Sequence, residues 1–107
     1  MQDTTRRLAK VLGASGVESQ GNGARFAVDS EDGARLKVNV EASQQRFMAV
    51  LLDSSGVVRA DLDVAPIQKV TEDPAFPGRV NLLVGPLRIQ IDSRPTLAVE
   101  VLSARED

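Results

Sequence analysis

From Ala24 onward the chain alternates apolar and polar residues with a period of two. Phe26 and Val28 share one side against Arg25, Ala27 and Asp29. Ala34, Leu36, Val38, Val40 and Ala42 then oppose Arg35, Lys37, Asn39 and Glu41. Side chains along a strand point to opposite faces in turn, so these runs predict strands packed on one side and wet on the other. Ser30-Glu31-Asp32-Gly33 separates them with turn-forming residues, which predicts a hairpin.

The next strand, Arg46–Asp53, breaks the alternation. Phe47, Met48, Ala49, Val50, Leu51 and Leu52 leave it no polar face, so it asks for burial on both sides, in a covered sheet or in a subunit contact. Asp53-Ser54-Ser55-Gly56 repeats the turn chemistry. Over Val57–Val64, Val58, Ala60, Leu62 and Val64 are expected on one face, with Val57, Arg59, Asp61 and Asp63 on the other. Connections this short cannot make parallel crossovers, which predicts an antiparallel meander.

Ala65 to Gly78 is the longest irregular stretch, with Pro66, Pro74, Pro77, the acidic pair Glu72-Asp73 and Phe76. It holds room for a short strand around Ile67–Val70, and loops of this length often carry function. Alternation returns through Val80, Leu82 and Val84, then changes parity to Leu87, Ile89 and Ile91 across Gly85-Pro86. Such a shift marks either a turn or a β-bulge. Asp92-Ser93-Arg94-Pro95 leads into a last run, Thr96–Leu102, and a polar tail over Ser103–Asp107 is expected to fray.

One segment has helical spacing. Leu8, Val11 and Leu12 lie at i, i+3 and i+4, which predicts a helix over Thr4–Leu12, capped by Asp3, Thr4 or Thr5 and stopped at Gly13. A helix this short is marginal alone and needs a sheet or a subunit to dock on. The glycine-rich stretch from Gly13 to Gly23 is expected to be a connection ending in a tight reversal at Gly21-Asn22-Gly23. The whole therefore predicts a single small β domain over residues 1–107. Its class is mainly β, an antiparallel roll, sandwich or partly closed barrel with one short N-terminal helix.

Composition narrows the chemistry. The 107 residues include no histidine, cysteine, tryptophan or tyrosine. Disulfides, imidazole or thiolate metal sites and histidine-based hydrolysis are thereby excluded for this chain acting alone. A formal net charge of -2 provides no general attraction to nucleic acid or an anionic membrane, so neither is an expected partner. The N-terminus carries no basic segment followed by an apolar run, and cytoplasmic residence is the expectation. Asp61 and Asp63 would share a strand face, and Asp29, Glu31 and Asp32 form a second acidic group. Neither matches a calcium-loop spacing, and both read as solvated acids. No cofactor, metal or catalytic residue is expected.

An excess of apolar faces beside such scarce chemistry predicts a non-enzymatic protein-interaction, adaptor or assembly domain that self-associates and that contacts another protein. The candidate interface comprises Phe47, Val50 and Leu52 on the two-faced strand and Phe76 in a partner-facing loop at 65–78. Arg79 and Arg88, which alternate with apolar neighbours, complete it. The alternative is a β-barrel or roll holding a small ligand inside Val38, Val40, Leu51, Leu62 and Ile89.

Overall fold

In the computed structural model, which describes residues 2–14, 16–94 and 96–103, the alternating runs become two antiparallel sheets. The first is a five-stranded meander of β1 (Glu18–Gln20), β2 (Gly23–Asp29), β3 (Arg35–Glu41), β4 (Arg46–Leu52) and β5 (Val58–Val64). The second is a four-stranded meander of β6 (Lys69–Glu72), β7 (Arg79–Val84), β8 (Leu87–Asp92) and β9 (Ala98–Ser103). A short helix, α1 (Gln2–Leu12), packs against β2 and β7 and so touches both sheets. Among the described residues the sheets stay separate, and no closed barrel forms.

α1 starts at Gln2, two residues before the predicted start, so Asp3, Thr4 and Thr5 lie within the helix. Leu8, Ala9 and Leu12 are buried and Val11 packs beside them, the stripe its spacing requires. Its end closes on itself: the Ala14 N–H donates to the Ala9 carbonyl at 2.8 Å and the Gly13 N–H to that of Lys10 at 3.3 Å. That pair of bonds needs a left-handed residue, and Gly13 supplies it with φ 83°. Arg7 ties the helix to β6 through Glu72 at 3.2 Å.

The inner faces of both sheets and the helix share one core, in which Leu36, Phe47, Leu82, Ile89 and Ile91 are the largest sheet side chains with no exposure. Val38, Val40, Leu51 and Ile89, expected to line a ligand-holding barrel, are buried in that core instead, and Leu62 packs at its margin. The parity change at Gly85-Pro86 is a two-residue hairpin. Val84 pairs with Leu87 and Leu82 with Ile89, and Gly85 turns at φ 58°.

Three expectations need correction. The connection over Gly13–Gly23 contains β1, a three-residue edge strand that has no hydrophobic pattern and forms because a two-residue reversal lays Glu18 opposite Arg25. The irregular stretch 65–78 contains β6, two residues later than the predicted strand, which divides it into connections over 65–68 and 73–78. A register shift at Leu51/Leu52 sets Val58 opposite Leu52, away from Ala60, Leu62 and Val64, and leaves it 54% exposed. Pro95 and the tail from Ala104 lie outside the described residues.

Candidate functional site

The outer side of the five-stranded sheet is laid out in rows by the strand register. One row runs Asp29–Arg35–Leu52–Val58, the next Ala27–Lys37–Val50–Asp61, and a third Glu18–Arg25–Asn39–Met48–Asp63. Met48, Val50 and Leu52 therefore form an apolar stripe down β4, each half-buried by its neighbours. Basic residues of β2 and β3 lie to one side of it and the carboxylates of β5 to the other. A concavity of about 590 Å³ opens on this face, walled by Arg25, Asp29, Arg35, Lys37, Met48 and Val50 among others.

Most charges around the stripe are paired. Arg35 grips Asp29 with Nε–H at 2.6 Å and Nη2 at 3.2 Å, and Arg46 grips Asp63 at 2.7 and 2.5 Å. Arg25 meets Glu18 at 3.2 Å and Arg59 meets Asp53 at 2.9 Å. In the middle row, by contrast, Lys37 and Asp61 make no ion pair among the described residues. They stand on either side of Val50, about 10 Å apart across two strand spacings.

The forks also set a pH dependence. The Arg35 hydrogen bond holds the Asp29 carboxyl below its ordinary range, and the Arg46 bond does the same for Asp63. Asp53 is lowered first by the Val57 N–H, and Glu41 first by the Ser43 hydroxyl. Each carboxyl binds its proton less readily when folded than when unfolded. The stabilisation is thus fully present above the unfolded values, near pH 4, and is lost as pH falls through the depressed folded values. Urea midpoints taken from about pH 6 down to pH 2 should be level and then fall below about 4. Asp63→Asn should make that fall shallower; an unchanged profile would mean that the Arg46 fork adds no net stability. The effect is small, because exposed pairs are screened by solvent.

The structure does not gather the six candidate interface residues into one patch. Val50 and Leu52 lie on the outer face just described. Phe47, their neighbour on β4, points the other way and is completely buried in the core, where it offers no surface to a partner. Phe76 sits at the β6–β7 turn, 52% exposed, with the Arg79 guanidinium 4.1 Å from its ring centre. Arg79 is in turn held by Asp92 at 2.6 Å and lies 3.9 Å from Asp73. Arg88 belongs to the outer face of the four-stranded sheet. Sequence reasoning passed over Met48 and Lys37. Met48 shares the parity of Val50 and Leu52, a usable signal, but the alignment of Lys37 with Val50 and Asp61 exists only once three strands are in register.

In fold, the chain is similar to a chain of the contact-dependent growth inhibition toxin–immunity protein complex from Klebsiella pneumoniae 342. The match has a TM-score of 0.69 at 9% sequence identity and covers 92% of both chains. No family model matches the sequence, and no curated protein does. At that identity the likeness concerns the path of the backbone and transfers no residue roles.

What the face can do follows from its groups. Among the described residues no three acidic side chains gather closely enough to hold a metal ion, and the chain contributes no histidine or cysteine to a reaction centre. It does contribute an apolar stripe with a charged border. Full burial of a valine, leucine or methionine is worth about 1.5–3 kcal/mol, so covering half-exposed ones adds roughly 1 kcal/mol each. Rim ion pairs add about 0–1 kcal/mol. Affinity at such a face rests on the stripe, while the charges decide which surface fits it.

Proposed function

We propose that this chain is a non-enzymatic protein-binding domain of the immunity type, which docks on one specific, non-identical protein and blocks it. The observation that carries the reading is the outer face of the five-stranded sheet. Its half-buried Met48–Val50–Leu52 stripe is bordered by guanidinium–carboxylate forks and flanked by Lys37 and Asp61, which make no ion pair among the described residues. The fold likeness to a chain of a toxin–immunity complex supports the same reading. Forks hold the border charges in place before contact, so little side-chain entropy is lost on binding. The test is capture of a partner by the intact chain but not by Val50→Lys, followed by reconstitution from the two purified proteins. If the captured protein is toxic, co-expression with this chain should restore host growth. Equal capture by both forms would overturn the assignment of this face.

Self-association is a second reading, and it rests on the edges. β5 and β9 end their sheets, and Val57, Val58 and Val101 on or beside them are 52%, 54% and 46% exposed. Unpaired edge strands with apolar side chains are ready templates for another copy. Light scattering over micromolar concentrations should then show mass rising toward a dimer, whereas a constant monomer mass would remove self-association and leave the hetero-partner reading standing. The cytoplasmic placement expected from the sequence belongs to the same proposal, and cell fractionation tests it.

A further inference from the structure

We propose, resting on the self-association reading, that two copies of this chain join through β9, antiparallel about a two-fold axis at Val101, so that their four-stranded sheets merge into one. Edge strands of natural sheets are blunted by shortness, by bulges or by charge. Among the described residues, three of the four edges carry such a device. β1 has three residues and β6 has four. β5 has a register shift near its start, and the two-fold register that pairs all seven of its residues would set Asp61 against Asp61 of the second copy. β9 has none of these. Its six residues pair with β8 without a shift, and Glu100 is its single charge.

The core also stops short of this strand. Ile89 and Ile91 have no exposure, yet Val101 opposite Ile89 is 46% exposed and Val99 opposite Ile91 is only half-buried. Joining across a two-fold axis keeps inner face beside inner face, so residues of the two copies pair only when their numbers sum to an even value. Two such registers pair five of the six residues of β9. One is centred on Glu100 and sets two carboxylates against each other, which disfavours it. The other is centred on Val101. It sets Val101 against its own counterpart, Glu100 against Leu102, and Val99 against Ser103 of the second copy. Val101 then gains an apolar cross-strand neighbour, and the open backbone groups of the edge find partners. Glu100 of the second copy also takes the open end of the row Lys69–Leu83–Arg88–Leu102. The two cations of that row make no ion pair among the described residues, so the added charge has the complementary sign.

The chain has no cysteine, so a single introduced thiol reports on its own surroundings. Directly opposed residues of an antiparallel pair have Cα atoms about 4.5–5.5 Å apart, within the roughly 4.4–6.8 Å that a disulfide spans. In the proposed register Glu100 lies roughly 8 Å from its own counterpart, out of disulfide reach. Light scattering of the full chain at micromolar concentration should give a dimer mass. Val101→Cys, oxidised in a glutathione buffer, should run as a linked dimer on a non-reducing gel, and Glu100→Cys should be at least about tenfold less linked. Both positions are exposed, so neither exchange empties the core. Denaturing urea during oxidation should abolish the Val101→Cys product. Val101→Lys, melting like the parent, should weaken the dimer at least about tenfold. A parent of constant monomer mass would overturn the self-association reading and this edge with it. A dimer that Val101→Cys leaves unlinked, or that Glu100→Cys links equally, would overturn the proposed register while self-association stands. A link at Val58→Cys instead would move the contact to β5 and overturn the proposal in the same way. Val50→Lys should leave the dimer mass unchanged, which separates this edge from the face of the five-stranded sheet.

Discussion

Phe47→Ala is expected to cost about 3–5 kcal/mol of folding stability, the range for removing a fully buried phenylalanine ring. Phe47 has no exposed surface and is the largest fully buried side chain in the core shared by the two sheets and α1. The loss combines the ring's transfer energy with a cavity that sheets fixed by their hydrogen bonds cannot close. Domains of this size hold about 5–15 kcal/mol in total, so the variant gives up roughly a fifth or more of its margin. Its melting temperature should fall by about 15 °C or more. Met48→Ala is the control. Met48 follows directly in sequence but faces outward and is only half-buried, so its truncation should cost under about 1 kcal/mol. Calorimetry on the pair checks the prediction; similar losses at both positions would mean that β4 is packed equally on its two faces.

Val50→Lys should reverse that pattern, with little change in stability and a large loss of partner binding. Val50 lies between Lys37 and Asp61 in the middle row of the outer face. A lysine there gains a cross-strand carboxylate at Asp61 and a like charge at Lys37, which offset one another in solvent. Its stem can still lie along the stripe. A partner, however, would have to strip water from an ammonium at the centre of the contact, where well-packed apolar groups carry most of the energy. Affinity should drop by at least about 30-fold, corresponding to about 2 kcal/mol or more. Titration calorimetry with the captured partner, beside thermal melts of both forms, checks it. Unchanged affinity would move the contact elsewhere on the molecule, and a collapse of the melting temperature would show that Val50 belongs to the fold.

The same strand shows how much of this was legible beforehand. Six consecutive apolar residues from Phe47 to Leu52 announced two demanding faces but could not say which face meets the core. Period two divides them into Phe47, Ala49 and Leu51 against Met48, Val50 and Leu52, and only the sheet beneath chooses the buried set. The β2–β3 hairpin, the turn at Asp53–Gly56 and the helix end at Gly13 were legible because each follows from a few adjacent residues. β1 was not, because its three residues have no pattern of their own and are a strand solely by pairing with β2. Val58 was assigned to the wrong side for a related reason. A bulge is a property of two strands in register, and nothing in Val57–Val64 alone predicts it.

The candidate sites divide in the same way. Scarce chemistry, the apolar excess of β4 and the apolar-flanked Arg88 could be read directly from residue types. Pairing of Asp63 with Arg46, of Asp29 with Arg35 and of Arg79 with Asp92 could not, since the distances within those pairs run across strands. Nor could it be foreseen that Lys37 and Asp61 make no ion pair among the described residues, because being unpaired is defined by every neighbour at once.

By itself, the order of residues determined the helix, most of the strands, their turns and the narrow range of chemistry open to the chain. Those features depend on backbone preferences and on periodicity within about ten residues. The tertiary structure alone decided that the strands divide into two sheets, that Phe47 is core while Val50 is surface, and which charges are spent in forks. Each of those outcomes is a contact between residues far apart in the chain, and its energy appears only when the register has brought them together.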